Sequence, residues 1–230
     1  KLDEAAAAMK QIAKSGKKIL FVATKKQAKD VVSERVKAIG MPYVTERWSG
    51  GMLTNFATIR KAVRKMSQID KMGEDGTLKT MSKRERLQVS RQRAKLEKNL
   101  GSITDLTRIP AAIFIVDVSK EHIALAEAKK LGIPVFGMVD TNSDPRPVDF
   151  PIPSNDDAGR SIALVLDALC QAVAEGLQER KSDKDAVDAA ASKAKAKKEA
   201  AEAAPAPAAA EAPAAEAPAA EAPAEEKKED

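Results

Sequence analysis

The chain has 230 residues, of which 43% are hydrophobic and 32% charged, a size and balance for one or two globular domains. Its 39 Lys and Arg against 34 Asp and Glu are unevenly placed: residues 181–230 hold 8 Lys against 12 acidic residues, so that segment is −4 and residues 1–180 are +9. One cysteine, Cys170, excludes an internal disulfide and points to a reducing compartment, and no run of about 18 apolar residues suits a membrane span. No signal peptide is visible. The chain opens at Lys1 inside a helical pattern, so further residues are expected upstream.

In chain order, residues 2–15 (LDEAAAAMKQIAKS) predict a helix stopped at Gly16. Residues 17–24 (KKILFVAT) predict a strand. Residues 25–39 predict a helix, with Thr24 and Gln27 at capping-box spacing and Gly40 as the stop. Residues 42–47 (PYVTER) alternate, and Pro42 places that strand at a sheet edge.

A long helical region breaks the rhythm over 56–100. Two arms, at 55–72 and 82–100, flank a turn with Gly73 and Gly76, and Ser82 with Glu85 forms a second capping box. Each arm of about 18 residues spans about 27 Å. Ile59, Val63 and Met66 on the first arm and Val89, Leu96 and Ile103 on the second have partly heptad spacing. An antiparallel helical hairpin is the simplest shape, with 13 Lys and Arg against 5 acidic residues, a net +8.

Residues 113–118 (IFIVDV) and 134–139 (PVFGMV) predict two more strands, separated by a helix with Ser119 as its cap and Gly132 as its stop. Residues 148–153 (VDFPIP) read as a Pro-bearing edge strand, and Asn155 as the cap of a last helix over 156–177. Alternating strands and helices predict a parallel sheet covered on both faces. ILFVA, IFIVDV and PVFGMV are apolar on both faces and therefore central. The order is then the doubly wound 2-1-3-4-5, with a crevice above the carboxyl ends of the first and third strands. After residue 180, EAPAAEAPAAEAPAE repeats with a period of five and has too little large apolar surface to build a core. The expected organisation is an α/β body at 1–54 and 101–180, an inserted basic coiled-coil hairpin at 55–100, and a disordered Ala/Pro/Glu tail at 181–230.

The usual enzyme signatures are missing. The turn after the first strand reads TKKQAK and not G-x-G-x-x-G, SGKK at 15–18 lacks the upstream glycine of a P-loop, and no G-x-S-x-G occurs. The single histidine, His122, excludes a two-histidine metal site and reads as a surface or loop-packing residue. Asp117, Asp140, Asp144, Asp156 and Asp157 fall at strand ends, where two carboxylates could bind a divalent cation but aspartates more commonly cap turns and helices, so the expected site residues include no metal ligand. Cys170 lies on an apolar helical face and reads as core.

What the chain offers instead is cations. Lys25 and Lys26 open a helix, where backbone N–H groups already favour anions. Arg47, Trp48, Gly50, Gly51 and Asn55 lie in ERWSGGMLTNF at the junction of body and hairpin, the glycines permitting close approach and Thr54 or Asn55 capping the first arm. Trp48 suits two roles, a wedge between hairpin and body or a face for a partner. Arg60, Lys61, Arg64 and Lys65 follow on the first arm, and Arg84, Arg86, Arg91, Arg93, Lys95 and Lys98 on the second. These are the expected RNA- and partner-binding residues, making salt-sensitive phosphate contacts. A nucleotide- or flavin-binding role in the strand-end crevice and a protein-binding coiled-coil scaffold are the competing readings.

FVATKKQA (21–28), RWSGGMLTNF (47–56), IFIVDVSKEHIALAEAKKLGIPV (113–135) and VDTNSDPRPVDFPIPSNDDAGRSI (139–162), in that order, resemble the bacterial family of ribosomal protein two of the small subunit. The resemblance covers about residues 1–180. It implies a flavodoxin-like α/β domain with an inserted coiled coil and a structural, non-enzymatic role on the cytoplasmic ribosome without a cofactor, membrane or small-molecule substrate. It also implies contacts to small-subunit ribosomal RNA and to neighbouring ribosomal proteins, including recruitment of the large RNA-binding protein one. The resemblance leads one to expect a further segment before the first helix, ahead of Lys1, and reads the acidic tail as an addition to the family pattern.

Overall fold

A computed structural model describes residues 1–202, with side chains through Asp185 except that of Lys79. The elements are α1 (Leu2–Lys14), β1 (Ile19–Val22), α2 (Lys26–Ala38), β2 (Tyr43–Val44), α3 (Phe56–Glu74), α4 (Thr77–Thr80), α5 (Lys83–Leu100), β3 (Ala112–Ile115), α6 (His122–Lys130), β4 (Val135–Val139), β5 (Phe150–Pro153) and α7 (Gly159–Glu202). The five strands form one parallel sheet in the order β2-β1-β3-β4-β5. The Pro-bearing β5 is at one edge, where a missing N–H costs no ladder bond, and β2, which follows Pro42, is at the other.

Period-two alternation divides the core between the sheet's faces. Ile19, Phe21, Phe114, Phe136, Met138 and Ile152 cluster with apolar residues of α1, α2 and α7. Leu20, Val22, Ile113, Ile115 and Val135 cluster with α6, with Met52 and Leu53, and with Val63 of the hairpin. Both clusters are wholly buried at the sheet, which explains the unbroken apolar strands. Each large side chain so buried stabilises the fold by about 1.5–3 kcal/mol. Gly176 lets α7 cross α1 closely: a Cβ there would meet the Lys10 carbonyl oxygen at 2.5 Å. The segment Gly159–Asp185 is long and apolar enough to cross a membrane, but Ile162, Leu166, Leu169 and Val173 are buried in the first cluster, as befits a core helix.

Several expected caps are formed differently. No Thr24–Gln27 capping box exists: Lys25 is the N-cap of α2 without a side-chain bond, and the Thr24 hydroxyl donates to Glu121, 97 residues away. Ser119 does not cap α6, which starts only at His122; Asp117 Oδ1 accepts from Lys120 N at 3.0 Å and shapes the preceding turn. Asn155 Oδ1 accepts from Asp157 N at 2.8 Å and Ala158 N at 3.1 Å, making the turn that leads into α7. Helix α7 runs past position 180 to Glu202, while the remainder of the expected disordered tail, 203–230, lies outside the described residues.

Candidate nucleic-acid interface

The loop between β2 and the hairpin is organised by one buried carboxylate. Glu127 of α6 is 8% exposed. Its Oε1 accepts from Trp48 Nε1 at 3.2 Å and Gly51 N at 2.8 Å, and its Oε2 from Leu53 N at 2.9 Å, Thr54 N at 3.1 Å and Thr54 Oγ1 at 3.2 Å. Burial pushes the Glu127 carboxyl up, but the backbone donors of Thr54, Leu53 and Gly51 and the indole outweigh it and hold the group below the usual carboxylate range. Sequence reasoning missed Glu127. Its one signal was a glutamate within the apolar stripe that includes Ala124 and Ala128.

Trp48 is 6% exposed and packs in the cluster that holds Met52, Leu53 and, at the root of the hairpin, Val63. Of its two expected roles, the wedge is the one realised. Gly51 has φ of 83°, the left-handed region, and an added Cβ would meet Asn55 Cβ at 3.3 Å. Gly50 is exposed with open space beside it, so its surface is free for close approach. Asn55 is the N-cap residue of α3, but its Oδ1 accepts from Thr58 Oγ1 at 2.8 Å and makes no cap bond. Thr54 is tied to Glu127 instead.

The hairpin forms as expected over α3, α4 and α5. Ser82 and Glu85 make the reciprocal capping box that starts α5. Val63, Met66 and Ile69 of α3 are buried, whereas Val89 and Leu96 of α5 are only half-buried and Ile103 falls in a 3₁₀ turn beyond the arm. Polar links add to this thin apolar seam. Arg93 of α5 pairs with Asp70 of α3 and Glu97 of its own helix. Arg60 donates to the carbonyls of Leu106 at 3.0 Å and Thr104 at 3.4 Å. Glu46, another residue missed in the sequence, accepts Lys29 of the body at 3.2 Å and Lys98 of the hairpin at 3.3 Å.

These contacts sort the expected cations into two groups. Arg60, Arg93 and Lys98 have protein acceptors. So does Lys25, whose ammonium lies 2.5 Å from Asp157 Oδ1, 2.9 Å from Asp156 Oδ1 and 3.4 Å from Asp117 Oδ2. Lys25 is therefore not the free phosphate ligand that its helix-start position suggested. Lys26, Arg47, Lys61, Arg64, Lys65, Arg84, Arg86, Arg91 and Lys95 are exposed and, among the described residues, form no ion pair. Seven of these nine lie on α3 and α5. Lys71 and Lys83, exposed on the same arms, extend the set beyond the residues singled out in the sequence.

The strand-end crevice carries the opposite sign. Asp117 follows β3, Asp140 follows β4, and Asp156 and Asp157 follow β5. Four carboxylates against the Lys25 ammonium repel the phosphates of a nucleotide or flavin cofactor. His122 is exposed. Burial pushes the Cys170 thiol up to about 11, which keeps it a protonated core residue.

Fold and surface together define a doubly wound α/β protein whose β2-to-β3 crossover is drawn out into a cationic helical hairpin, a shape for docking and not for turnover. The family model for ribosomal protein S2 matches residues 1–176, and the chain belongs to that family, a structural and non-enzymatic component of the ribosome. It is similar to the small ribosomal subunit protein uS2 of Phocaeicola vulgatus, with 68% identity over 190 residues that cover 83% of this chain and 68% of the relative. The corresponding proteins of Parabacteroides distasonis and Flavobacterium johnsoniae are 65% and 66% identical over 190 residues, covering 83% of this chain and 68% and 74% of theirs.

Proposed function

We propose that the chain is a structural constituent of the small ribosomal subunit in the bacterial cytoplasm, held there by phosphate contacts from its hairpin to small-subunit ribosomal RNA. The observation that carries the RNA reading is the row of exposed cations on α3 and α5 that form no ion pair among the described residues. Arg64, Lys65, Arg84, Arg86, Arg91 and Lys95, with Lys61, Lys26 and Arg47, contact phosphates. Arg60 and Lys98 hold the hairpin at its angle to the body, Arg93 ties its two arms together, and Lys25 ties the start of α2 to the carboxylates after β3 and β5. Residues 55–100 act as the RNA-binding module, and residues 1–54 with 101–180 as the body that carries it. Neighbouring small-subunit proteins, among them the large RNA-binding protein one, dock on the remaining surface, to which Gly50 contributes a close approach.

Binding of the full chain to small-subunit ribosomal RNA across a salt series tests this. With six or more phosphate contacts, affinity falls by about 10³-fold or more between roughly 50 and 200 mM salt. Arg64→Glu and Arg91→Glu flatten the slope, each by about 0.7–0.9 for the contact removed. Binding that is flat with salt, or unchanged in both variants, sinks the RNA reading and leaves a protein-binding scaffold. Co-sedimentation with small subunits separately tests membership of the particle.

A further inference from the structure

We propose that Asp140, Asp156 and Asp157, at the carboxyl ends of β4 and β5, form a binding site for a hard divalent cation, Mg²⁺ in the cell. One carboxylate oxygen from each of the three lies within 4.8 Å of the others, a separation that one ion spans. Acidic residues cluster on many surfaces without an ion, and the deciding feature here is Asp156. Asp156 is fully buried, at 0% exposure, and its Oδ2 has no hydrogen-bond partner among the described residues. A buried carboxylate oxygen without a donor is costly unless a proton or a cation meets it.

The other aspartates at these strand ends are accounted for locally. Asp117 Oδ1 and Asp144 Oδ1 accept from the backbone at Lys120 and Arg146, as turn-shaping aspartates do. Asp140 also accepts from the backbone, at Thr141 N (2.7 Å) and more weakly at Asp156 N (3.4 Å), and each oxygen keeps a further lone pair. Lys25 supplies one positive charge to Asp117, Asp156 and Asp157. With Asp140, which has no ion pair among the described residues, the crevice sets four carboxylates against that single ammonium. Burial, with the Asp117 and Asp140 charges added and Lys25 opposing, pushes the Asp156 carboxyl up.

All-oxygen carboxylate donors suit Mg²⁺, which keeps several of its waters and takes one or two carboxylates directly. Asp157 is exposed, leaving room on the solvent side for those waters. The site lies outside the carboxyl ends of the strands, where open α/β sheets commonly hold ligands. An ion there ties the ends of β4 and β5 and the turn into α7 together, on the acidic side of an otherwise basic protein.

Mn²⁺, which is visible by EPR, serves as the probe with the full chain. One equivalent binds saturably and is displaced by Mg²⁺, and Asp156→Asn and Asp140→Asn each weaken it by about tenfold or more, whereas Asp144→Asn leaves it unchanged. Mg²⁺ raises the Tm of the unsubstituted chain and not that of Asp156→Asn. Asp140→Asn carries the test if Asp156→Asn fails to fold by circular dichroism. Mn²⁺ binding that is non-saturable or unaffected in Asp140→Asn overturns the proposal. So does a carboxyl titration of Asp156, followed by carbon NMR, at the same pH with and without Mg²⁺, since a proton alone would then satisfy Oδ2.

Discussion

Replacing Glu127 tests whether one buried carboxylate holds the shoulder between body and hairpin. Glu127→Ala strands five donors: Trp48 Nε1, the N–H groups of Gly51, Leu53 and Thr54, and the Thr54 hydroxyl. Gly51 and Thr54 are near enough to the surface to recover water, but Leu53 is 1% and Trp48 6% exposed. Two buried orphaned donors at about 1–3 kcal/mol each give a loss of about 2–6 kcal/mol, to which the cavity left by the side chain adds. Glu127→Gln keeps the shape but turns an amide NH₂ toward one set of donors and removes the charge, for a loss of about 2–3 kcal/mol. In a domain of this size each kcal/mol moves Tm by about 2–4 °C, so the orphaned donors of Glu127→Ala alone lower it by about 4–24 °C. Thermal denaturation measures this, and Trp48, the only tryptophan, reports the same event by a red-shifted emission. A Glu127→Gln protein within about 0.5 kcal/mol of the parent, with unchanged tryptophan emission, would refute the reasoning.

The same carboxylate sets a pH dependence. Its folded pKa lies below the ordinary value of 4.5, so its contribution is present above that value and is lost as pH falls through the folded pKa. Glu127→Gln therefore removes part of the acid-side decline in a stability profile. Cys170 has the opposite sign: its raised pKa disfavours the thiolate, so stability falls as pH rises above the unfolded value near 9, and thiol reagents at pH 8 label the protein only once it is denatured. Gly51→Ala costs about 1–2 kcal/mol in denaturant unfolding because of its positive φ, whereas Gly50→Ala is near neutral for folding. Arg93→Ala costs less than about 1 kcal/mol, since both it and Asp70 are 40% exposed, and it weakens RNA binding less than Arg91→Ala, because Arg91 forms no ion pair among the described residues.

The strands and their order were legible because each signal is local. An apolar run of four to six residues between glycine and proline stops reads as a buried strand whatever surrounds it, and prolines at 42, 151 and 153 mark the edges. The Ser82–Glu85 box was equally readable because both partners lie within one turn. Thr24–Gln27 has the same spacing and failed, because Glu121 on another element offered the hydroxyl a better acceptor.

For ERWSGGMLTNF the sequence by itself determined the place, a junction between an edge strand and a basic arm, and the need for a glycine. Its anchor is a carboxylate 73 to 79 residues further along, which no local pattern announces. The sign of the hairpin's charge likewise followed from counting residues, since charge is a property of composition. Which cations are free was decided only in three dimensions: Arg93 meets Asp70 across the hairpin, and Lys25 meets Asp156 across 131 positions of chain. Ion pairing depends on a few ångströms of distance, and that distance is set by how the helices pack on the sheet.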